Sequence, residues 1–313
     1  MLENFLMVGQ QVLILFILIV VGVICGKVRF LTRNTAKHLT NIVLYFVTPC
    51  VVIDAFQRDF EPELLTNLGI TALCAVLIHA VSIVIAFLVF RDKDISRRCV
   101  LRFGTVFSNC GFMSIPLQAA LLGADGVFYG AAFVAVFNLI LWSYGLLTMS
   151  GDKKTLSPKH LLLNPGVIGV AAGMALFLFS VHLPEVLSMP VSYMAALNTP
   201  LPMIIIGFYL SRTNLREALR DKKAYAAIAL RLVAIPLLAL FFMYLFQIRG
   251  VVLVACVIAA AAPIAAATTM FAAKFDRDTS LSVNLVSLST LFSLATICLL
   301  YTSPSPRDVE ESR

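Results

Sequence analysis

The residues with the clearest capacity for chemistry lie in an apolar stretch around Asn109, which reads Phe107-Ser108-Asn109-Cys110-Gly111-Phe112-Met113-Ser114-Ile115-Pro116-Leu117. Pro116 lacks a backbone donor and clashes with the carbonyl group of Phe112, and Gly111 adds conformational freedom, so backbone polar groups are freed there. The side-chain amide of Asn109 could then hydrogen-bond a carboxylate, aided by the positive dipole of a half-helix N-terminus. A hydrogen bond between helices, with no ligand, is the alternative.

A second apolar stretch carries small residues around Pro263, followed by Thr268 and Thr269. Small residues let another helix cross closely. The two hydroxyl groups either bond their own helix or face the same cavity as Asn109. Thr268 is therefore a candidate binding residue together with Asn109 and Pro263.

Other polar groups inside apolar stretches each have two interpretations. Arg231 either extends back to the membrane interface or supplies positive charge near an anionic ligand. His79 titrates in a range that suits a proton relay, but a neutral histidine bonded to a neighbouring helix fits equally. Asn138, which precedes Trp142 and Tyr144, could line the same cavity.

These residues belong to a chain whose composition indicates a membrane protein. Hydrophobic residues make up 60% and charged residues 13% of 313 positions, and the mean hydropathy is +0.94. Soluble domains are about 45–50% apolar and about 25% charged. The net charge of +7 does not indicate nucleic-acid binding, because the basic residues cluster in short loops where membrane topology explains them.

The sequence carries no recognisable catalytic or metal-binding motif. The seven cysteines form no C-x-x-C pair, so neither a disulfide framework nor a zinc site is expected. H-E-x-x-H, G-x-S-x-G, P-loop and G-x-G-x-x-G motifs are also absent. We therefore predict no catalytic residues, no metal, no cofactor and no enzyme activity.

Apolar runs long enough to span a bilayer recur along the whole chain. A span needs about 20 mostly apolar residues. The sequence offers ten, and no alternation typical of a β-barrel; they lie near 8–26, 38–56, 67–90, 100–122, 126–149, 165–181, 187–211, 224–246, 251–273 and 280–301.

The charges in the loops predict an orientation. Alternate loops are strongly basic, holding Lys27, Arg29, Arg33, Lys37, Arg91, Lys93, Arg97, Arg98, Arg102, Lys153, Lys154, Lys159, Arg212, Arg216, Arg220, Lys222, Lys223, Lys274 and Arg277. The opposite loops hold only Arg58 and Arg249. By the positive-inside rule, the basic loops are cytoplasmic and both termini lie outside. This predicts a multi-pass protein of the plasma or inner membrane.

Ten spans with both ends on one side divide into two inverted five-helix repeats, an arrangement typical of many secondary transporters. The predicted units are 1–149 and 165–301, joined by a short cytoplasmic linker at 150–164 and followed by a polar tail at 302–313. The string from Cys298 to Asp308 looks like a translated sequencing-adapter junction; an ordinary disordered tail is the alternative.

Helix breakers occur at corresponding places in the two halves. Pro49 in the second span matches Pro200 and Pro202 in the seventh, and Pro116 in the fourth matches Pro263 in the ninth. Paired interruptions are the best sequence pointer to a binding site at the membrane midplane. Prolines that merely bend membrane helices are the alternative. Pro236 in the eighth span has no counterpart in the third.

The ordered set of these motifs resembles the auxin efflux carrier family, which includes bacterial malonate-type permeases and the plant PIN-FORMED carriers. The resemblance rests on Asn109 seven residues before Pro116 within N-C-G-F-M-S-I-P-L, and it covers nearly the whole chain. It continues through Pro49, the F-N-L-I-L-W-S-Y-G run from Phe137 to Gly145, Asn164-Pro165, Ala262-Pro263 and the Ser287–Ser293 region. The long middle loop of some plant members is missing here.

The resemblance implies an all-α fold like those of the bile-acid symporters and NhaA. Helices 1, 2, 6 and 7 form a scaffold, helices 3–5 and 8–10 move, and helices 4 and 9 cross at their broken points with the substrate beside them. The implied function is elevator-type secondary transport of a small organic anion, a mono- or dicarboxylate. The candidate substrate-binding residues are Asn109, Cys110, Gly111, Pro116, Pro263, Thr268, Asn138, Pro49 and Arg231.

Two other classes are weighed against this expectation. A membrane receptor or sensor needs an appended signalling domain, and a membrane-embedded enzyme needs clustered His, Asp, Glu or Ser residues. A channel for small organic acids remains an alternative within transport. The expected partners are the small anion and the lipid bilayer, with a homodimer left open and no nucleic acid.

Overall fold

The computed structural model describes residues 2–152, 165–212 and 221–301. The predicted tail at 302–313, and all but the first three residues of the predicted linker at 150–164, lie outside this part of the chain. Throughout the described part the regular secondary structure is helical, and β-type pairing is confined to one isolated antiparallel bridge between Ser108 and Ile264. The apolar runs predicted from the sequence coincide in position with these helices.

The helices are numbered here in chain order. The first half comprises α1 (Leu2–Lys27), α2 (Arg33–Ala55), α3 (Pro62–Val89), α4 (Ile95–Val106), and α5 (110–122) and α6 (124–150), which together form the stretch Cys110–Ser150. The second half comprises α7 (Pro165–Leu178), α8 (Glu185–Ala196), α9 (Pro200–Leu210), α10 (Lys222–Leu245), α11 (Gly250–Ala261), α12 (Ala267–Lys274) and α13 (Thr279–Tyr301).

Several of these helices are long and apolar enough to cross a membrane. Among the described residues, 5 helical stretches meet that standard: Arg33–Ala55, Pro62–Val89, Cys110–Ser150, Glu185–Leu210 and Lys222–Leu245. Shorter apolar helices occupy Leu13–Lys27, Pro165–Leu178 and Gly250–Ala261. The chain is therefore an all-α membrane protein.

The stretch from Cys110 to Ser150 folds back on itself at Gly123. Gly123 has φ 65° and ψ −148°, a conformation that glycine adopts at little cost. A Cβ atom built on Gly130 would lie 2.0 Å from Oε1 of Gln118. In a straight helix these residues would be separated by about 18 Å, at about 1.5 Å per residue. The contact shows that α5 and α6 form an antiparallel pair.

Three prolines inside helices are each preceded by a short π-helical turn. Pro49 follows the π turn Val43–Val47, Pro116 follows Cys110–Ser114, and Pro236 follows Leu230–Ala234. Each π turn ends two residues before its proline. A proline ring clashes with the carbonyl group four residues earlier, and the wider π turn relieves this clash while the helix continues.

Glycines allow two helix pairs to cross closely. A Cβ atom on Gly22 of α1 would lie 2.1 Å from the carbonyl oxygen of Ile204 in α9, and one on Gly207 would lie 2.0 Å from that of Ile19. In the other half, a Cβ atom on Gly169 of α7 would lie 2.7 Å from Cα of Pro49 in α2. Only residues without a side chain permit such backbone contact.

The helices pack in two groups. The first group contains α1, α2, α7, α8 and α9; the second contains α3–α6 and α10–α13. Packing within each group is more extensive than packing between them. One of the contacts between the groups is aromatic, where the ring of Phe128 in α6 lies 4.9 Å from that of Phe56 and 5.2 Å from that of Phe177.

Three helices of the second group begin side by side around Arg97. Asp94, Asp221 and Asp278 each accept hydrogen bonds from the first backbone amides of their own helices, α4, α10 and α13. The Arg97 guanidinium lies 2.6 Å from the Asp221 carboxylate and 3.6 Å from that of Asp278. Burial raises the pKa of Asp221, but hydrogen bonds from Arg97 and from the amides of Ala224 and Lys223 outweigh it and lower the pKa.

Candidate functional site

Two interrupted helices meet at the centre of the second group, at the site predicted around Asn109 and Pro263. Helix α4 ends at Val106 and α5 begins at Cys110, while α11 ends at Ala261 and α12 begins at Ala267. The extended segments between them pair at the isolated antiparallel bridge of Ser108 with Ile264. The backbone amide of Asn109 donates to the carbonyl oxygen of Pro263 at 2.7 Å, and the backbone amide of Ala265 donates to the carbonyl oxygen of Phe107 at 2.9 Å. We call this pairing the crossing.

Side chains from other helices satisfy further backbone groups freed at the crossing. The amide of Ile264 donates to Oγ of Ser289 in α13 at 3.1 Å. The side-chain amide of Asn198 donates to the carbonyl oxygen of Gly111 at 2.9 Å. Asn198 lies in the break between α8 and α9, so this bond joins the first group of helices to the crossing. An unsatisfied backbone group at membrane depth would cost several kcal/mol.

Arg231 is buried behind the crossing, with only 1% of its surface exposed. Its guanidinium donates to the carbonyl oxygens of Thr105, Val106 and Ala260, which lie at the C-terminal ends of α4 and α11. The side chain does not extend to the membrane interface, so the interpretation of Arg231 as an interfacial residue is wrong. The π turn Leu230–Ala234 ahead of Pro236 contains Arg231 and displaces this residue from the ordinary helical repeat.

Four polar side chains of the crossing region are buried without a hydrogen-bond partner. These are the side-chain amides of Asn109 and Asn138 and the hydroxyl groups of Thr268 and Thr269. Asn109 is 3% exposed and Thr268 0% exposed. Nearly all buried polar groups in proteins are paired, and each unpaired one costs about 1–3 kcal/mol. These unpaired donors are therefore candidates for binding a ligand.

Three of these residues lie at the crossing by their position in the chain: Asn109 is part of it, and Thr268 and Thr269 are in the first turn of α12. Asn109 precedes the first residue of α5, and its side chain does not cap that helix. Asn138 follows Phe137, whose ring lies 5.6 Å from the ring of Phe107. Thr268 donates its amide to the carbonyl oxygen of Ala265, the residue that pairs with Phe107.

The helix ends give the two sides of the crossing opposite partial charges. The N-terminal ends of α5 and α12 carry partial positive charge, and Asn109, Thr268 and Thr269 lie at these ends. The C-terminal ends of α4 and α11 carry partial negative charge, and Arg231 binds them. An anion would therefore be stabilised on the side of the unpaired donors.

A small cavity opens beside the crossing, between the two groups of helices. Its volume is about 10 Å³, room for about one water molecule. The first group contributes five lining residues and the second group three: Thr40, Val43, Pro202, Ile205 and Tyr209, with Phe112, Ala266 and Met270. None of these lining residues is one of the four unpaired side chains.

The remaining predicted residues fall in different places. Cys110 is buried and Gly111 half-buried at the start of α5, and Pro116 follows one turn later. Pro49 instead packs against Gly169 in the contact between α2 and α7. The Nδ1 atom of His79 pairs with the carbonyl oxygen of Ala75 in its own helix at 2.7 Å.

The rings around His79 belong to Phe107, Phe133 and Phe137. Because a carbonyl oxygen can only accept, the hydrogen bond to Ala75 fixes the ring proton on Nδ1. Across residues 2–152, 165–212 and 221–301, no group of three or more His, Cys, Asp or Glu side chains is placed to hold a metal ion.

The sequence of the chain matches a known family over nearly all of its length. The model of the family described as "Membrane transport protein" matches residues 7–301. The chain belongs to this family, which is that of the auxin efflux carriers. It is a membrane transporter and not an enzyme.

Similar proteins are also transporters by description. The chain is 24% identical over 295 residues to an uncharacterized transporter of Methanothermobacter thermautotrophicus, covering 93% of this chain and 96% of that protein. It is 23% identical over 300 residues to an uncharacterized transporter of Methanocaldococcus jannaschii, covering 92% and 96%. A third, from Schizosaccharomyces pombe, is 23% identical over 150 residues, covering 40% of this chain and 32% of its own length.

Two polar residues of this transporter's crossing were not predicted from the sequence. Asn198 and Ser289 each stand in an apolar stretch, and each hydrogen-bonds a backbone group of a distant segment. The Asn-Thr-Pro string ahead of α9 indicates a possible break near Asn198. Nothing in the sequence near Ser289 distinguishes it from the other hydroxyl residues of α13.

Proposed function

We propose that this protein is a secondary transporter of a small organic anion, a mono- or dicarboxylate such as malonate, with its binding site at the crossing. The single observation that carries the proposal is that four donors, those of Asn109, Asn138, Thr268 and Thr269, are buried and unpaired. A carboxylate offers acceptor oxygens to several donors at once. It would convert four unpaired groups into charge-assisted hydrogen bonds.

The electrostatics of the crossing favour an anion over a cation at these donors. The N-terminal ends of α5 and α12, with their partial positive charge, lie beside Asn109 and Thr268. Discontinuous helices with this polarity bind anionic substrate groups in other secondary transporters. The negative helix ends on the opposite side are already occupied by Arg231.

The two groups of helices support an elevator-type movement. The cavity of about 10 Å³ between the groups is too small for a dicarboxylate, so an anion that passes between the groups there requires them to shift. Within the first group, glycines let α1 pack closely on α9 and α7 pack closely on α2. In our proposal this group is the fixed scaffold, and the second group carries the crossing and its bound anion across the membrane.

The same packing supports an inverted repeat. Gly22 and Gly26 of α1 pack on α9, and Gly169 and Gly173 of α7 pack on α2, with the same spacing of four residues. If α1–α6 and α7–α13 are inverted copies, α1 corresponds to α7 and α2 to the pair α8 and α9. The close contact between α1 and α9 then corresponds, under the inversion, to the close contact between α7 and α2. We propose that both termini lie outside the cytoplasm, as the loop charges predict.

The proposal is tested by a thermal-shift screen of the purified protein. Malonate, other dicarboxylates, monocarboxylates and indole acids are added separately, with equimolar chloride as the control for ionic strength. A ligand that binds only the folded state raises the melting temperature in a concentration-dependent way. We expect at least one carboxylate to do so saturably. The absence of any shift across all classes would contradict a carboxylate site.

A further inference from the structure

The guanidinium of Arg231 occupies the place between two half-helix C-termini. Its donors bind the carbonyl oxygens of Thr105 and Val106 at 3.2 and 3.0 Å, at the end of α4, and that of Ala260, at the end of α11. These carbonyl groups have no amide partner four residues later, because both helices stop there. One cation thus links the negative ends of both interrupted helices.

The charges at this position balance without any carboxylate. Each helix C-terminus carries roughly −0.5 of an elementary charge, so two ends offset one guanidinium. Among the described residues, no Asp or Glu side chain lies within ion-pair distance of Arg231. A buried cation without such compensation would cost several kcal/mol. The helix ends are therefore the counter-charge of Arg231.

Half-helix C-termini and unwound carbonyl groups are also the ligands that secondary transporters use for a coupling Na⁺ ion. Carbonyl oxygens are hard ligands that suit an alkali cation as well as a guanidinium. In this chain, three of these oxygens already accept hydrogen bonds from Arg231. The side chain is anchored in α10 and cannot be exchanged with solvent.

We infer that Arg231 is a fixed cation that holds the crossing together in the position of an exchangeable coupling ion. Arg231 is thus a positioning residue: it binds the ends of α4 and α11 and leaves the donor side of the crossing to the anion. The folded state then needs no Na⁺ at this position. The consequence that transport is independent of Na⁺ rests on the proposed function; the stability of the crossing does not.

The test compares melting temperatures of the full-length protein and three Arg231 variants in detergent. Arg231→Met keeps the volume but removes the charge, Arg231→Ala leaves a cavity, and Arg231→Lys keeps a cation. We expect losses of about 10 °C for the Met and Ala variants, because three buried carbonyl groups lose their partner. We expect the melting temperature of the Lys variant to fall by no more than half as much, since an ammonium group also donates three hydrogen bonds.

Chemical rescue separates a cation site from general packing. Added methylguanidinium should raise the melting temperature of Arg231→Ala saturably, but not that of Arg231→Met, whose side chain fills the space. Arg249→Ala is the matched control, because Arg249 also donates to backbone carbonyl groups but is exposed. This control variant should melt like the parent protein.

A second arm addresses Na⁺ directly. The parent protein should melt at the same temperature in NaCl, KCl and choline chloride of equal ionic strength. A saturable stabilisation by Na⁺ over K⁺ would overturn the inference, and so would an Arg231→Met variant as stable as the parent. None of these readouts uses a carboxylate. Failure of the substrate proposal would therefore leave them unchanged, and their failure would leave the carboxylate screen unaffected.

Discussion

At the scale of single residues, the unpaired side chains of the crossing differ from otherwise similar polar groups elsewhere in the membrane helices. The hydroxyl group of Thr71 donates to the carbonyl oxygen of Asn67 in its own helix, and that of Thr105 donates to Leu101. This is the ordinary way in which threonine is accommodated in an apolar helix. The hydroxyl groups of Thr268 and Thr269 do not have this bond. The difference marks them as ligand-binding candidates.

Replacing Thr268 by valine tests this distinction. If the hydroxyl group binds the substrate carboxylate, Thr268→Val should weaken binding about tenfold, the value of one hydrogen bond to a charged group. The melting temperature without ligand should stay the same or rise, because the variant removes an unpaired buried group. Both quantities follow from thermal-shift titration with the carboxylate found in the screen.

Thr71→Val is the matched control for that experiment. It removes an equally buried hydroxyl group that is already paired. We expect its carboxylate affinity to equal that of the parent protein. Equal loss of affinity in the two variants would mean that Thr268 acts only through the general stability of the helices.

The sequence identified Asn109, Asn138 and Thr268 because amide and hydroxyl groups are conspicuous in apolar stretches. It did not identify Asn198 or Ser289, since their role depends on which backbone group is left free in a different segment. That information is not local. Arg231 had two interpretations for the same reason: its direction depends on the π turn that precedes Pro236.

At the scale of helices, hydropathy predicted where the apolar segments lie, and the breakers indicated two of their interruptions. The run at 100–122 is interrupted around Asn109 and the run at 251–273 around Pro263, as Gly111, Pro116 and Pro263 had indicated. The break between α8 and α9 lies just ahead of Pro200. The π turns were not predicted, because a proline alone does not reveal whether a helix kinks, stops or widens.

The close crossing of α1 and α9 gives a second prediction. Gly22→Ala would place a Cβ atom 2.1 Å from the carbonyl oxygen of Ile204, so the helices must move apart. We expect this substitution to destabilise the protein by about 2 kcal/mol or more. The measurement is the melting temperature in detergent, with cross-checking by protease resistance.

Gly69→Ala provides the control for a glycine in a membrane helix. A Cβ atom on Gly69 would meet no heavy atom within 4 Å, and the residue lies inside α3. This variant should be neutral or more stable by up to about 1 kcal/mol, because alanine favours helix over glycine. Destabilisation of both variants by the same amount would contradict a specific contact at Gly22.

The helix starts around Arg97 predict a pH dependence. The pKa of Asp221 is lowered in the folded protein, so its carboxylate stabilises the fold above its unfolded pKa of about 4 and this contribution is lost as the pH falls through the folded pKa. Asp221→Asn keeps a good helix cap but removes the charge. The variant should melt below the parent protein near neutral pH.

The melting difference between the parent protein and Asp221→Asn should shrink as the pH falls below about 4. High salt should also reduce it, because Arg97 and Asp221 are partly exposed. Asp276→Asn, at an exposed position, is the control and should show no such trend. A difference that persists unchanged to the lowest pH would mean that the carboxylate charge is not what joins α4 and α10.

At the scale of the whole molecule, the proposed transport requires the two groups of helices to move relative to one another. The sequence indicated the division indirectly, through the resemblance to a family with a scaffold and a moving part. In the structure, the close helix contacts at glycines lie in the first group, and the crossing at Asn109 lies in the second. The number of membrane crossings and the orientation of the termini stay predictions, because they rest on hydropathy and loop charge.

The two groups of helices meet at the cavity lined by Val43, Pro202 and Phe112, and at the hydrogen bond from Asn198 to Gly111. Such contacts must change if the second group moves. The sequence could not show them, since they join segments far apart in the chain.

The proposed function requires that Asn109 binds the carboxylate of the transported anion. The most direct measurement is uptake of radiolabelled malonate, or of the carboxylate with the largest thermal shift, into proteoliposomes containing the parent protein, Asn109→Ala or Thr71→Val. We predict saturable uptake by the parent and Thr71→Val, and a loss of transport efficiency of about a hundredfold in folded Asn109→Ala. Uptake by Asn109→Ala with unchanged rate and affinity would mean that Asn109 does not bind the transported anion.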